Sequence, residues 1–158
     1  MTGPASTAPS AQEWTPDMSV GVERLDDDHR ILLSVIHQLN QAVEDNQTRE
    51  VVGSIVNFLV EYAATHLRRE ERLMDRLGYP ESDEHKAAHQ SFVDWVERFQ
   101  AEYQQDREGK VAEAALDFLN QWWVGHIMRT DMAYKPFCTA HADEVDTALA
   151  DEDVSEIH

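Results

Sequence analysis

The chain has 158 residues, a formal net charge of −18 and a pI near 4.6. So acidic a balance excludes nucleic acid as a partner, because neutralising phosphates takes clustered Lys and Arg, and it opposes docking on an anionic membrane. Hydrophobic residues make up 42%, enough for one domain with a single core, and no stretch approaches the ~20 apolar residues of a membrane span. The simplest account of the charge is a solvated, self-repelling surface; attraction of cations or of a basic partner is the sharper alternative. The single cysteine, Cys138, rules out an internal disulfide and suits a reducing, cytoplasmic setting.

Residues 1–12 are rich in Pro, Ala, Ser and Thr and lack the basic start and apolar run of a signal peptide; they are expected to be a disordered leader. Glu13 to Gly21 reads as an extended arm whose Trp14 covers one end of the core. A first helix begins near Asp26-Asp27-Asp28, three acids that suit the positive end of a helix dipole. Its apolar residues Ile31, Leu32, Val35, Ile36, Leu39 and Val43 recur at helical spacing, and it ends around Asp45 to Thr48. A second helix runs from about Arg49 to Leu77 with a stripe of Val52, Ile55, Val56, Leu59, Val60, Ala63 and Leu67. Gly78-Tyr79-Pro80 stops it. A third follows from about Ser82 to Asp106, with Phe92, Trp95, Val96 and Phe99 inward. Gly109 breaks the chain, and a fourth spans about Lys110 to Tyr134, with Ala115, Phe118, Leu119, Trp122 and Ile127 inward and Pro136 ending or kinking it. His141 to Ala150 forms a short last helix, and Asp151 to His158 frays.

The predicted fold is all-α: an up-down-up-down four-helix bundle with an N-terminal extended arm and a short C-terminal helix. The four-helix domain covers 13–140, and 141–158 is an acidic, partly helical tail. Cys138 is read as a packing residue.

The polar residues that matter are histidines set at matching heights. His66 and Glu70 are four apart, as are His85 and His89, so each pair shares one helix face. Counted from Tyr79, Glu70 and His66 lie nine and thirteen residues before the turn, His85 and His89 six and ten after it. At about 1.5 Å per residue the two pairs stand at nearly one level. The other connections repeat the coincidence. His29 is eighteen residues before Gln47 and His66 nineteen after; His89 is twenty before Gly109 and His126 seventeen after. Any one histidine on a helix is usually a surface or hydrogen-bonded core residue, and a His-Glu pair at this spacing is often an ion pair. Four helices delivering imidazoles to a single layer is a metal site in outline. A metal-free polar layer would need many hydrogen-bond partners to offset its burial. His37, His141 and His158 fall outside the count and read as surface or packing residues. Asp131 is left undecided by spacing: five residues past His126, it reaches the same layer only through a widened turn or a favourable rotamer.

These residues resemble the hemerythrins, most closely the single-domain bacteriohemerythrins, from about Trp14 to Phe137. The family pattern of Asp-x-x-His on the first helix is matched by Asp26 to His29, and His-Phe-x-x-Glu-Glu on the second by His66 to Glu71. His85 and His89 match the third helix, and Trp122, His126, Ile127, Asp131 and Tyr134 the fourth, with the family's own five-residue offset to Asp131. The resemblance implies a non-haem di-iron centre: His85, His89 and His126 on one iron, His29 and His66 on the other, and Glu70, Asp131 and a solvent-derived oxo or hydroxo group bridging them. Iron accepts such a mixed donor set. Those ligands leave one position open, on the iron with two histidines, and hemerythrins bind O2 there reversibly.

The implied role is O2 storage or delivery to an oxygen-consuming enzyme, by a cytoplasmic monomer that is not itself an enzyme. An O2- or redox-sensing module acting through a partner is one alternative, although sensory members are usually fused to a signalling domain. Peroxidase or nitric oxide handling is another. A ferritin-like oxidase expects paired Glu-x-x-His motifs, which the chain lacks, and seven ligands exceed the four of a structural zinc. One departure stands out: the family commonly has Trp-Leu before the last histidine, with the Leu lining the O2 pocket, whereas this chain has Trp122-Trp123. Either Trp123 takes the Leu place and narrows the pocket, or it turns outward and only packs.

Overall fold

The computed structural model describes residues 13–105 and 111–157. The expected leader over 1–12 and the break at Gly109 lie outside the described residues. Among the described residues there is no strand, and the long helices follow one another in the order α1 (Glu23–Glu44), α2 (Arg49–Leu77), α3 (Ser82–Gln105) and α4 (Val111–Gly125). A π-helical turn, His126–Asp131, joins α4 to α5 (Met132–Ala140), and α6 (Ala142–Ile157) closes the chain. Helix α1 packs on α2 and α4, and α3 packs on α2 and α4, so the four rods close a ring. Short connections make neighbours antiparallel, as expected for an up-down-up-down bundle.

Each boundary has a local cause. The arm is not wholly extended: Pro16 opens a 3₁₀ turn over Pro16–Met18, since its fixed φ suits a first helical position. Asp26 then ties the arm to α1, accepting the Val20 N–H at 2.8 Å and the Ser19 hydroxyl at 2.6 Å. The Thr48 side chain caps α2 by accepting the Val51 N–H. Gly78 ends α2 at φ +70°, and Tyr79 N–H returns to the Met74 carbonyl at 3.0 Å, the double-bonded stop that glycine permits.

The helical stripes are buried with local substitutions. On α1, Leu32, Val35, Ile36 and Leu39 are buried as the periodicity predicts, but Ile31 is 39% exposed and Leu33 is buried in its stead. Three consecutive residues span about 200° of helix, so one of them must face water. On α4, Leu116 and Trp123 are buried together with Ala115 and Leu119, as is Ile127 in the π turn, and Phe118 and Trp122 are half-buried. Pro136 neither ends nor breaks the last rod, which runs on to Ala140. Burial of Tyr134 and Cys138 on either side holds the segment helical across the one hydrogen bond that the proline removes. The backbone of α6 also continues beyond Ala150 to Ile157.

Two apolar clusters result. The larger fills the bundle from Leu32 and Leu67 to Phe99 and Leu119. The smaller gathers Val20, Val22, Leu25, Leu73, Met74, Tyr79, Tyr134, Cys138, Val145 and Ala148. Three of the predicted polar residues lie along the chain between members of the two clusters: His29 between Leu25 and Leu32, Glu70 between Leu67 and Leu73, Asp131 between Ile127 and Tyr134.

The α2–α3 turn sets the height of four of those residues, and its glycine is testable. A Cβ at Gly78 would meet nothing within 4 Å, so Gly78→Ala carries only the backbone penalty of its positive φ. It should cost about 1 kcal/mol in denaturant unfolding, with the helical circular dichroism of the native protein unchanged.

Candidate metal centre

All seven predicted residues meet in one buried layer, each 0–5% exposed. Two groups of donor atoms form, each with its members within 4.8 Å of one another: Glu70, His85, His89, His126 and Asp131; and His29, His66, Glu70 and Asp131. Glu70 and Asp131 belong to both. Glu70 Oε1 lies 2.5 Å from His85 Nε2 and 3.0 Å from His89 Nε2, while its Oε2 lies 3.3 Å from His66 Nε2. Asp131 Oδ1 lies 2.9 Å from His126 Nε2 and 3.0 Å from His85 Nε2, while its Oδ2 lies 3.0 Å from His29 Nε2. Each carboxylate thus gives one oxygen to the three-imidazole group and the other to the two-imidazole group.

The π turn brings Asp131 there. Met132 N–H bonds to the Ile127 carbonyl five residues back, which widens the turn and stacks Asp131 over His126. The choice that spacing left open is settled for the backbone, not the rotamer.

Many of these polar atoms have no ordinary partner. His29 Nε2, His66 Nε2 and both Asp131 oxygens are buried and make no hydrogen bond despite their proximity. His89 Nε2 and His126 Nε2 approach to 3.1 Å. Two imidazole lone pairs cannot face each other unless a proton or a cation sits between them. Converging nitrogen and oxygen donors, several of them left without a hydrogen bond, are what a borderline cation requires.

A second ring of residues orients the first. His66 Nδ1 lies 2.9 Å from Asp28 Oδ2; a carboxylate only accepts, so Nδ1 carries the proton and Nε2 points into the layer. Asp28 also accepts from Arg69 Nη1 at 2.5 Å and from the Tyr62 hydroxyl at 2.7 Å. The Tyr134 hydroxyl donates to Glu70 Oε2 at 3.0 Å, and its ring stacks on His85. Trp122 stacks on His126 with centroids 4.4 Å apart, and its Nε1 donates to Ser91 Oγ. Trp123 turns inward: its ring is wholly buried, 5.9 Å from that of His66.

Reasoning from sequence missed Asp28, Arg69 and Tyr62. The three acids opening α1 read as dipole partners, yet Asp26 and Asp28 are buried and only Asp27 faces water. The signal was present in the spacing: Asp28 stands four before Leu32 and seven before Val35, on the apolar stripe, and Arg69 stands three after His66 and four before Leu73. His37 is exposed, and His141 bonds through Nδ1 to the Phe137 carbonyl, so neither approaches the layer. His158 lies outside the described residues.

The electrostatics follow from this packing. Burial pushes the Asp28 carboxyl up, but the hydrogen bond and charge of His66, with Tyr62 and Arg69, hold it at about 2. Burial also works against ionised Glu70, and the surrounding imidazoles of His126, His66, His85 and His89 keep it well below the ordinary carboxylate range. Asp131 is held below that range likewise, against burial and the Glu70 charge, by His126 and His29. Burial alone would lower the imidazoles, but Asp28 and Glu70 raise His66 to about 9, and Asp131 and Glu70 raise His85 and His126 to about 9.

The Hemerythrin HHE cation binding domain family matches this chain over residues 20–138. A bacteriohemerythrin of Stenotrophomonas maltophilia is 28% identical over 131 residues, covering 83% of this chain and 84% of the relative. A hemerythrin-like protein of Naegleria gruberi is 30% identical over 133 residues, covering 83% and 97%. Among solved structures, wild-type hemerythrin matches with a TM-score of 0.68 and 25% identity, over 79% of this chain and 95% of that one.

Two outcomes follow for the layer. His66, His85 and His126, raised from 6.5 to about 9, stabilise the metal-free fold fully below pH 6.5, and that contribution is lost as pH rises through 9. A divalent cation must displace those protons, so loading at pH 7 should release about three per chain and weaken as pH falls. Calorimetry in buffers of differing ionisation enthalpy reads the count; a value of zero would contradict protonated imidazoles in the metal-free layer. Separately, Asp28→Ala leaves Arg69 buried without this carboxylate and His66 unheld. It should cost about 3–5 kcal/mol in urea unfolding, whereas Asp27→Ala, on the exposed side, should cost under about 0.5 kcal/mol.

Proposed function

This chain belongs to the hemerythrin HHE cation binding family, and on that premise we propose that it holds two iron ions and binds O2 reversibly, for storage or delivery to an oxygen-consuming enzyme. The observation that carries the reading is the division of each carboxylate. Glu70 and Asp131 each turn one oxygen to the group of His85, His89 and His126 and the other to the group of His29 and His66, as residues shared by two ions would. His85, His89 and His126 would hold one iron and His29 and His66 the other. The unbonded Nε2 atoms of His29 and His66 and both unbonded oxygens of Asp131 support the fit, as does a donor set of nitrogen and oxygen with no thiolate.

When bound there, two ferrous ions would supply the electrons that reversible O2 binding requires. The chain's own residues do the rest. Asp28, itself braced by Arg69 and Tyr62, fixes the His66 tautomer so that Nε2 is free to ligate. Tyr134 donates to Glu70 Oε2 and so holds the bridging carboxylate in place. Trp123, Ile127 and Leu67 wall the layer with buried apolar surface, which excludes the water and protons that would convert a bound ligand into a lost one. Trp123 stands as the pocket wall on the two-imidazole side. Five imidazoles against two carboxylates leave little negative charge to favour highly oxidised iron, which supports binding over turnover. No helix among the described residues is long and apolar enough to cross a membrane.

The test is anaerobic loading with ferrous ion followed by O2 titration under optical and resonance Raman detection. About two irons per chain and an O2-dependent band abolished under vacuum are expected. Turnover of the oxygen to product, or a stoichiometry near one, would overturn the reading. Asp131→Ala, which removes one shared carboxylate, should lower iron content below two per chain while leaving helicity intact.

A further inference from the structure

Trp123 does more than fill space. Its ring is 0% exposed, and its Nε1 is buried with no hydrogen-bond partner. The neighbouring Trp122 differs: it is half-buried and its Nε1 reaches Ser91 Oγ at 3.3 Å. A buried donor without an acceptor is uncommon in a folded protein and calls for an explanation. Around Trp123 stand Phe92 at 5.3 Å, Trp122 at 4.9 Å, His66 at 5.9 Å and His126 at 6.3 Å between ring centroids. Phe92 has no acceptor atom, and the Trp122 ring offers only a donor. The Nδ1 of His66 is engaged by Asp28, and the Nε2 atoms of His66 and His126 face Glu70 and Asp131. None of these rings supplies an acceptor to the indole N–H, and of the two imidazoles that of His66 lies the nearer.

We propose that the Trp123 indole N–H donates a hydrogen bond to the small ligand held on the His29 and His66 side of the centre, and so selects ligands that end in an acceptor atom. The assignment rests on the di-iron reading above. Its chemistry differs from that of a tyrosine or histidine in the same place. An indole N–H donates but does not surrender its proton at ordinary pH. It therefore steadies a negatively polarised ligand end without protonating it. The rigid ring also needs no reordering to do so, because packing against Phe92 and Trp122 already fixes it. Dioxygen and short linear anions carry such an acceptor end; carbon monoxide is a poor acceptor and gains little.

The test uses azide as the probe, on the iron-loaded, oxidised full-length protein. Optical titration gives its affinity, and infrared spectroscopy gives the stretch of bound azide in H2O and D2O. Trp123→Phe keeps an aromatic ring and removes only the donor. It should weaken azide about tenfold or more, the scale of a hydrogen bond to a charged acceptor, and should abolish the part of the D2O shift that comes from the indole. Azide affinity within about twofold of the parent, or an unaltered D2O shift in the variant, overturns the assignment. Should the variant fail to fold, the parent alone decides: an azide stretch that does not move in D2O overturns it as well. Iron below about two per chain would instead bring down the di-iron reading, and the assignment with it, so the two failures are told apart by metal content.

Discussion

Glu70 and Asp131 are the constraint to which the rest of the molecule answers. Both are wholly buried, and both are divided between two clusters of imidazole nitrogen. Removing two carboxylates from water is costly unless charge and hydrogen bonds compensate from every side. Here compensation comes from five histidines on four rods, from the Tyr134 hydroxyl on one Glu70 oxygen, and from the cations the layer can hold. The glycine stop after α2, the widened turn before α5 and the Asp28 network each keep one of those partners at its station. The apolar stripes supply adhesion, but the polar layer dictates the level at which the rods must be cut and turned.

The two sides of the layer are supported differently. The three-imidazole side is backed by aromatic faces, with Tyr134 on His85 and Trp122 on His126. The two-imidazole side is backed by charge, with Asp28 gripping His66 and Arg69 gripping Asp28. His29 Nδ1 has no partner at all. The side that would take a ligand is therefore the one whose electronic character is set by an ion pair rather than by stacking.

Much of this was legible in the residues alone. Helix number and order, and the common height of His29, His66, Glu70, His85, His89 and His126, depend only on rise per residue and the positions of turns, which breaks in the apolar periodicity mark in the sequence, helped by glycine and proline after α2. Three things were not legible for identifiable reasons. Asp28 escaped because an acid in a first helical turn already has an ordinary explanation in the dipole. The inward aim of Trp123 could not be chosen over an outward one because neighbouring tryptophans lie about 100° apart on a helix and either could be the buried member. Asp131 depended on a backbone register that no side-chain pattern reports; only its resemblance to a known motif placed it. The reach of the last rod past Pro136 belongs with these, since a proline's local cost was outweighed by burial of Tyr134 and Cys138 on its flanks.

The polar layer also divides the hydrophobic interior. Leu32, Leu67, Phe92 and Leu119 belong to one cluster, while Leu25, Met74, Tyr134 and Val145 belong to another that includes the arm and α6. The histidines and carboxylates are thus a polar waist between two separately packed apolar clusters. A metal-stripped molecule should accordingly loosen first at the smaller half, as a unit of local unfolding that spares the larger one. Ions held in the layer, as proposed, would then serve as the rivet through which two bodies of one chain behave as a single solid.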